Sequence, residues 1–304
     1  MVADNDSVSY DPNGAFVGLA DGETAIDTFE YTVTDGNGGT DTATVSVTVT
    51  GGNEAPVAAP DSATVGEDDA APTVIDLTGN DSDPDGSDDL EILSVDDTGT
   101  LGTVVVNGDN DSVSYDPAGA FEDLAAGETA IDTFTYTVTD GNGGTDTETV
   151  SVTVTGANDL PVAVDDVASS GDAGTTDITL TGNDSDPDGS DDLEILSVDD
   201  TGTLGTVVVN ADNDSVSYDP NGAFVGLADG ETAIDTFEYT ITDGNGGTDT
   251  ATVSVTVTGG NEAPVAAPDS ATVGEDDAAP TVIDLTGNDS DPDGSDERSA
   301  GCGG

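Results

Sequence analysis

The side chains most able to do chemistry in this sequence are aspartates, and they are concentrated in one repeated loop. The segment NDSDPDGSDD occupies residues 80–89 and returns at residues 183–192. Within it, Asp81, Asp83 and Asp85 stand at alternate positions, a spacing that can aim several carboxylates at one point. Ca²⁺ takes six to eight oxygen ligands in flexible geometry, and carboxylates and carbonyls of glycine-containing loops provide them. The loop therefore favours a calcium site, although it lacks the bidentate glutamate of an EF-hand.

The overall acidity of the chain offers a second explanation for these residues. Of 304 residues, 66 are acidic and one is basic, so the formal net charge is −65. Surface carboxylates hold hydrated cations and keep a protein soluble in concentrated salt. We favour this solvation role for scattered acids such as Asp96, Asp97 and Glu148, and calcium for the clustered loops. The two explanations are compatible, because a salt-adapted protein can also hold discrete ions.

The same composition excludes several classes of function. So negative a chain is not expected to bind nucleic acid or an anionic membrane surface, and cations are its natural partners. Without histidine, and with a single basic residue, it lacks the usual proton shuttles, so we expect no enzymatic activity. No apolar run is long enough to span a bilayer, and residues 1–10 do not resemble a signal peptide. We expect any export signal to lie outside this sequence.

An internal repeat organises the chain. The motif DGNGGTDT starts at Asp35, Asp140 and Asp243, so the repeating unit is about 104 residues long. Residues 3–88 match residues 211–296 except at one position. The predicted domains are two complete repeats at 53–157 and 158–260, a C-terminal part of a repeat at 1–52, an N-terminal part at 261–296, and a non-repeat tail, ERSAGCGG, at 297–304. We expect the two partial repeats to be incompletely packed.

Within one repeat, the apolar residues alternate with polar ones. In IDTFTYTVTD, Phe134, Tyr136 and Val138 share one face, which is the pattern of a half-buried strand. The following DGNGGTD suits a tight hairpin turn, and PVAAPDSATV suits an edge strand that tolerates Pro60. Seven short strands in about 104 residues predict a two-sheet Greek-key sandwich. The segment GAFEDLAAGE at 119–128 predicts one short helical turn.

The candidate metal ligands are the loop aspartates and the acids at strand ends, and the sandwich can gather some of these carboxylates at one end, near the junction with its neighbour. In the first complete repeat they are Asp61, Glu67, Asp81, Asp83, Asp85, Asp132, Asp140 and Asp146. In the second they are Asp166, Asp172, Asp184, Asp186, Asp188, Asp235, Asp243 and Asp249. Asp68 is replaced by Ala173 in the second repeat, so we do not expect Asp68 to be essential.

The combination of IDLTGNDSDPDG, DSVSYDP and DTFTYTVTDGNGGTDTETVSVTVTGAND resembles the cadherin-like and VCBS-type tandem repeats of large bacterial and archaeal surface adhesins. The resemblance extends to Asp296. It implies Ig-like sandwiches strung into an elongated rod, secretion to the cell surface, and calcium at loops and domain junctions. Its acidic motif falls on 80–86 and 183–189, and its strand-end aspartates fall on Asp132 and Asp140 and on Asp235 and Asp243.

Residues and resemblance together predict a non-enzymatic extracellular spacer of a cell-surface adhesin, stiffened by Ca²⁺. The alternative is a salt-adapted surface or matrix protein that assembles with copies of itself into fibres through strand edges, without discrete metal sites. Melting with calcium or a chelator at constant high ionic strength separates the two.

Overall fold

The computed structural model describes residues 6–86, 89–276 and 279–293. The chain divides into two compact units, the first ending at Ala157 and the second beginning at Asn158. The tail at 297–304, with Arg298 and Cys302, lies outside the described residues, as does Asp88. No helix in the described ranges is long and apolar enough to cross a membrane.

The first unit begins with an isolated hairpin and continues with a complete repeat. The hairpin pairs β1 (Thr24–Thr34) with β2 (Thr40–Thr50) in antiparallel register. Seven strands follow: β3 (Asp61–Gly66), β4 (Thr73–Asp76), β5 (Glu91–Asp96), β6 (Thr103–Val106), β7 (Ser112–Asp116), β8 (Thr129–Thr139) and β9 (Thr145–Thr155).

These seven strands form two sheets, as the alternating pattern predicts. One sheet has the order β3-β9-β8-β5 and the other the order β4-β7-β6. All pairs are antiparallel except β3 with β9, which is parallel. Strand β3 begins directly after Pro60 and lies at the edge of its sheet, where a residue without an N–H is tolerated. The predicted Greek-key sandwich is confirmed.

The second unit repeats this architecture. Its strands are β10 (Asp166–Gly171), β11 (Thr176–Thr179), β12 (Glu194–Asp199), β13 (Thr206–Val209), β14 (Ser215–Asp219), β15 (Thr232–Thr242) and β16 (Thr248–Thr258). Their sheet orders are β10-β16-β15-β12 and β11-β14-β13. Beyond β16, the described residues of 261–293 contain no strand, only a bridge between Val265 and Ser290.

Each complete repeat encloses its own apolar core between the two sheets. In the first repeat, Tyr115, Tyr136 and Val138 are fully buried, together with the inward-facing valines of β9. Tyr218, Tyr239 and Ile241 hold the same places in the second. These side chains are the apolar half of the alternating pattern, so burial follows the strand period.

The segment at 119–128 forms separate turns instead of the predicted helical turn. Ala120 N–H donates to the Pro117 carbonyl at 3.0 Å, and Leu124 N–H donates to the Phe121 carbonyl at 3.0 Å. Ala118 and Gly119 have φ values of 55° and 69°, which a right-handed helix does not allow. The turn chemistry of Pro117-Ala-Gly therefore overrides the weak helical pattern.

Candidate metal centre

The acidic loop of each repeat is hydrogen-bonded to the linker, which is the segment between the last strand of one repeat and the first strand of the next. In all three copies, the last aspartate of the DxDxD sequence is buried and accepts a backbone N–H from the acidic residue after the linker asparagine. The donors are Glu54, Asp159 and Glu262, the acceptors are Asp85, Asp188 and Asp293, and the N···O distances are 2.9, 3.0 and 3.0 Å. A turn inside the loop aims the acceptor inward, since Asp85 N–H donates to Asp83 Oδ1 at 2.7 Å.

One oxygen of each of these buried aspartates has no hydrogen-bond donor. It is Oδ1 in Asp85, Asp188 and Asp293, and Oε2 of Glu54 and of Glu262 is likewise buried without a donor. A buried, ionised oxygen without a donor or cation is costly. Carboxylate oxygens of this kind are the ligands that Ca²⁺ prefers, so the residues fit a bound cation.

A third acid completes this arrangement at the end of the second complete repeat. Asp172, in the loop after β10, is buried and accepts the Gly260 N–H at 2.9 Å through Oδ2. Contact with Asp293, burial, and the charge of Asp172 together raise the pKa of Glu262 to about 7. Asp172 and Asp293 thus both act on the Glu262 carboxyl within the second unit, and we call these three acids the junction cluster. In the first unit, Glu67 matches Asp172 and accepts the Ala157 N–H at 2.6 Å.

A second acidic cluster lies at the other end of the same repeat. One carboxylate oxygen from each of Asp186, Asp191 and Asp243 lies within 4.8 Å of the others. Burial raises the pKa of Asp186, and the hydrogen bond from the Asp188 N–H lowers it in part. The negative charges of Asp188, Asp191 and Asp243 raise the pKa further. Asp186 Oδ2 is buried without a donor, so this cluster also offers a cation an oxygen.

Asp243 contributes negative charge to this cluster, but hydrogen bonds already occupy both of its carboxylate oxygens. Its Oδ1 accepts the N–H groups of Asn245, Gly246 and Gly247, and its Oδ2 accepts Asn158 Nδ2 at 3.0 Å. Burial would raise the pKa of Asp243, but these donors outweigh it, and the pKa is lowered. A carboxylate has about four lone pairs, and the turn already uses them. Asp140 occupies the same place in the first repeat and has the same set of donors.

The first aspartate of the loop points elsewhere, so the three alternate carboxylates do not meet at one point. Asp81 Oδ1 accepts the Ala59 N–H at 2.7 Å and the Tyr136 hydroxyl at 2.8 Å. Burial, followed by the charge of Asp81, raises the pKa of Asp61 to about 6. These residues form a carboxylate pair over a tyrosine hydroxyl, separate from Asp85. Because the loop turns at Asp83, alternation along the sequence does not become convergence in space.

The second complete repeat contains the same pair of carboxylates over a tyrosine hydroxyl. Asp184 Oδ1 accepts the Val164 N–H at 2.8 Å and the Tyr239 hydroxyl at 3.1 Å. Burial is the main cause that raises the pKa of Asp166 and of Asp184. Asp146 and Asp249 support the same region, where each accepts a linker N–H, from Ala58 at 3.0 Å and from Ala163 at 2.9 Å.

Asp132 and Asp235 lie far from the acidic loops of their repeats. Asp132 stands eight residues before Asp140 along an extended strand, a separation of roughly 26 Å. It accepts the N–H groups of Leu101 and Gly102 and the Tyr115 hydroxyl, at 3.1, 2.9 and 2.7 Å. This pair is therefore not among the strand-end aspartates that gather near the acidic loop. Asp132 binds the β5–β6 loop and Asp235 the β12–β13 loop.

Sequence reasoning missed four residues of these clusters. Glu54, Asp159 and Glu262 were overlooked although each is an acid directly after the linker asparagine, which was the available signal. Asp191 was missed because it follows the alternating aspartates at 184, 186 and 188, to which the predicted ligands of the loop were confined. Its Oδ2 accepts Asn245 Nδ2 at 2.8 Å, which draws it into the cluster with Asp243.

Comparison with known families agrees with this architecture. The profile of the bacterial cadherin-like domain matches residues 53–156 and 158–259, and that of a bacterial Ig domain matches residues 1–48. The chain belongs to the bacterial cadherin-like domain family. Its cadherin-like repeats are thus tandem Ig-like sandwiches, as the resemblance in sequence predicted. No curated protein matches the chain in sequence.

Solved structures similar to these cadherin-like repeats are cadherin ectodomains. Protocadherin gamma B7 domains 1–4 match with a TM-score of 0.48 at 15% identity, covering 81% of this chain and 62% of that one. Protocadherin gamma B2 domains 1–5 match with a TM-score of 0.48 at 12% identity, covering 86% and 51%. Domains 1–3 of mouse clustered protocadherin gamma C3 match with a TM-score of 0.47 at 13% identity, covering 78% and 77%. The chain thus spans less than two thirds of the first two structures.

Proposed function

We propose that this chain is a non-enzymatic, extracellular spacer of a repetitive cell-surface adhesin, and that Ca²⁺ stiffens it at its acidic junctions. Cadherin-like domains are modules of adhesion-type repeat proteins, which supports the extracellular assignment. The proposed repeats are 53–157 and 158–260, with partial repeats at 1–52 and 261–296.

The observation that carries the proposal is the junction cluster. Asp172 belongs to the loop after β10, Glu262 to the linker, and Asp293 to the acidic loop of the next repeat. The negative charges of Asp172 and Asp293 both repel that of Glu262. Glu262 and Asp293 each present a buried oxygen without a donor. A divalent cation would convert this repulsion into a crosslink between the end of one repeat and the start of the next.

Backbone N–H groups of the linker position the acids of the junction cluster. Gly260 N–H and Glu262 N–H hold Asp172 and Asp293 in place before any cation arrives. A bound Ca²⁺ supplies positive charge, which the described residues lack entirely. Because the linker residues 260 and 262 are both fastened, neutralising the three acids would reduce bending at the linker.

The experiment is thermal unfolding of the 304-residue chain in Ca²⁺ and in chelator, at one fixed high ionic strength. Calcium at 100 times its dissociation constant stabilises the folded state by about 2.7 kcal/mol per site. The double variant Glu262→Gln, Asp293→Asn removes two charges from the junction cluster and is expected to bind one fewer ion by isothermal titration calorimetry.

The matched control is Asp269→Asn together with Asp284→Asn, which removes the same charge from exposed positions of the same segment. It is expected to keep the full calcium stoichiometry. If the wild-type chain melts identically with calcium and with chelator, the discrete sites do not exist. The acidity then serves salt adaptation, which is the alternative function.

A further inference from the structure

The first and last strands of each complete repeat pair with each other in parallel. In the first repeat, β3 pairs with β9 from Asp61 opposite Val150 to Gly66 opposite Thr155. In the second, β10 pairs with β16 in the same register. The chain enters a repeat just before one strand of this pair and leaves just after the other. A pull on the two ends of a repeat therefore acts directly on this pair.

The parallel direction decides how such a pull is shared. Because both strands run the same way, the entry and the exit of the chain lie at opposite ends of the pair. Tension then slides one strand along the other, roughly across the direction of the hydrogen bonds, and loads all of those bonds together. An antiparallel pair that is pulled at one end would instead lose its bonds one after another.

Hydrogen bonds before β3 extend this contact on the entry side. Ala58 N–H donates to Asp146 Oδ2 at 3.0 Å, and Asn53 Nδ2 donates to Asp140 Oδ2 at 2.9 Å. Both acceptors belong to the β8–β9 hairpin, so the linker is attached to the same hairpin as β3. The sliding contact is therefore longer than the paired strands alone.

The exit side shows which backbone groups bear the load. Glu67 N–H donates to the Thr155 carbonyl at 3.1 Å, and Thr155 Oγ1 donates to the Val65 carbonyl at 2.9 Å. The backbone groups of a strand alternate between its two sides, so those of Ala63 also face β9. Those of Thr64 face the free edge of the sheet, since β3 is its outermost strand.

The two complete repeats differ at one inward-facing position of this pair. Val65 is 3% exposed and belongs to the core of the first repeat. Its counterpart Ser170 is also buried, but its hydroxyl bonds to the Gly171 carbonyl at 2.9 Å and to Thr176 Oγ1 at 3.0 Å. Neither partner lies on β16. An apolar contact that resists sliding in the first repeat is thus replaced by polar contacts that do not cross the pair.

We propose that the parallel pair of first and last strands bears mechanical tension in each complete repeat, and that the second repeat yields to tension before the first. The chain then lengthens in steps under a rising load, because one repeat opens while the other still holds. This function adds to the proposed spacer role and rests on backbone pairing, without a part for calcium.

The first test stretches the 304-residue chain from its two termini in an optical trap, at one fixed calcium concentration and ionic strength. We expect two large unfolding steps, one for each complete repeat, with a released length of about 3.5 Å per residue. Ala63→Pro removes an N–H that faces β9. At a fixed load it should raise the unfolding rate of the first repeat about tenfold, since one hydrogen bond across the pair is lost. Ala168→Pro should do the same to the second repeat.

The matched control is the neighbouring position. Thr64→Pro removes an N–H that faces the free edge, so the unfolding rate should stay within about twofold of wild type. A milder pair of variants serves if Ala63→Pro does not fold. Thr155→Val removes only the side-chain bond to the Val65 carbonyl and should raise the rate about threefold, whereas Thr153→Val on the same face of β9 should not.

A further variant separates resistance to tension from general stability. Val113 is fully buried in β7, which lies in the other sheet. Val113→Ala should lower the denaturant midpoint at least as far as Thr155→Val, yet leave the unfolding rate under load within about twofold, because its contacts persist while the loaded pair slides. Unfolding rates under load that simply follow denaturant stability, or equal effects of Ala63→Pro and Thr64→Pro, overturn the proposal.

The order of opening is tested by exchanging the one residue that differs. Val65→Ser together with Ser170→Val should make the first repeat open before the second, and Ala63→Pro identifies the step that belongs to the first repeat. A wild-type chain whose first repeat opens first overturns the ranking. Because every comparison is made at one calcium concentration, a failure here leaves the proposed calcium sites untouched. Melting that ignores calcium would end those sites and leave the tension-bearing pair untouched.

Discussion

The chain contains two nearly identical copies of one hairpin-forming sequence, and the two copies have different surroundings. Residues 6–50 and 214–258 are identical except that Val33 replaces Ile241, yet only the second copy lies in a complete repeat. Both form the same hairpin: Thr24 faces Thr50 in β1–β2, and Thr232 faces Thr258 in β15–β16. The apolar face is covered in one and open in the other. Pairing and register are therefore local properties of this sequence, whereas burial depends on the strands supplied by the rest of the repeat.

The turn explains why the register survives without a core. Gly36 and Gly38 have φ values of 72° and 101°, and the equivalent glycines of the second copy also have positive φ. Asp35 Oδ1 accepts the N–H groups of Asn37 and Gly39 at 2.8 and 2.9 Å, as Asp243 does for its own turn. These hydrogen bonds lower the pKa of Asp35. Glycine geometry and one aspartate thus fix the hairpin before any second sheet covers it.

Replacing the equivalent tyrosines by alanine should give the largest difference in stability between the two copies. Tyr239→Ala leaves a large cavity between the sheets and is expected to destabilise the second complete repeat by about 3–5 kcal/mol. Tyr31→Ala, the same substitution in the open copy, is expected to cost less than about 1 kcal/mol. Denaturant unfolding of both variants at low protein concentration measures the difference. Equal losses would contradict the view that burial alone distinguishes the copies.

A smaller effect is expected from the aspartate near the start of the hairpin. Asp235 accepts the N–H groups of Leu204 and Gly205 and the Tyr218 hydroxyl. Asp27 accepts the Tyr10 hydroxyl and the N–H of the adjacent Thr28. Asp235→Ala leaves buried donors without an acceptor and is expected to cost about 1.5–3 kcal/mol. Asp27→Ala is expected to cost less than about 0.5 kcal/mol.

The pH dependence gives this comparison a second readout. Burial would raise the pKa of Asp235, but its backbone and tyrosine donors outweigh burial and lower it in the folded state. The stabilisation is therefore present above the unfolded pKa of about 3.9 and is lost as the pH falls through the folded pKa. The gap between wild type and Asp235→Ala should be widest near neutral pH and narrow in acid. A gap that does not change with pH would contradict this origin.

The smallest expected change in stability concerns Asp61 and its counterpart Asp269 in a second duplicated segment, and it is a stabilisation. Asp61 lies beside Asp81, and burial and that charge raise its pKa to about 6, whereas its sequence counterpart Asp269 is exposed. A raised folded pKa means that ionisation destabilises the fold as the pH rises from about 4 through 6. Asp61→Asn should stabilise the repeat above pH 6 by at most about 1 kcal/mol, since solvent screens a partly exposed group.

The control for this prediction is Asp269→Asn, which should leave melting unchanged from pH 4 to 8. Melting temperatures of both variants in chelator provide the measurement. A stabilisation by Asp61→Asn that is as large at pH 4 as at pH 7 would rule out repulsion between Asp61 and Asp81 as its source.

The sequence was sufficient to predict the sandwich because its strands follow a period of two without interruption. Phe134, Tyr136 and Val138 are buried, and the glycine turn after them is a hairpin, as the pattern requires. The site was less accessible to such reasoning. Asp81 and Asp85 have the same spacing from Asp83, yet Asp85 accepts the Glu54 N–H whereas Asp81 accepts the Ala59 N–H and the Tyr136 hydroxyl, because contacts between distant residues decide where each carboxylate points. Periodicity contains no information about those contacts.

The linker contact in the last copy has a consequence for the order in which a repeat is built. In the described part of the chain, residues 261–293 contain the start of a repeat without its strands. Even so, Val265 already bridges Ser290, and Glu262 N–H already reaches Asp293 beside Asp172 of the finished repeat. The first 33 residues of a new repeat are thus enough to bring these acids together. A long array can in this way close each joint from its N-terminal side before the following sandwich is folded.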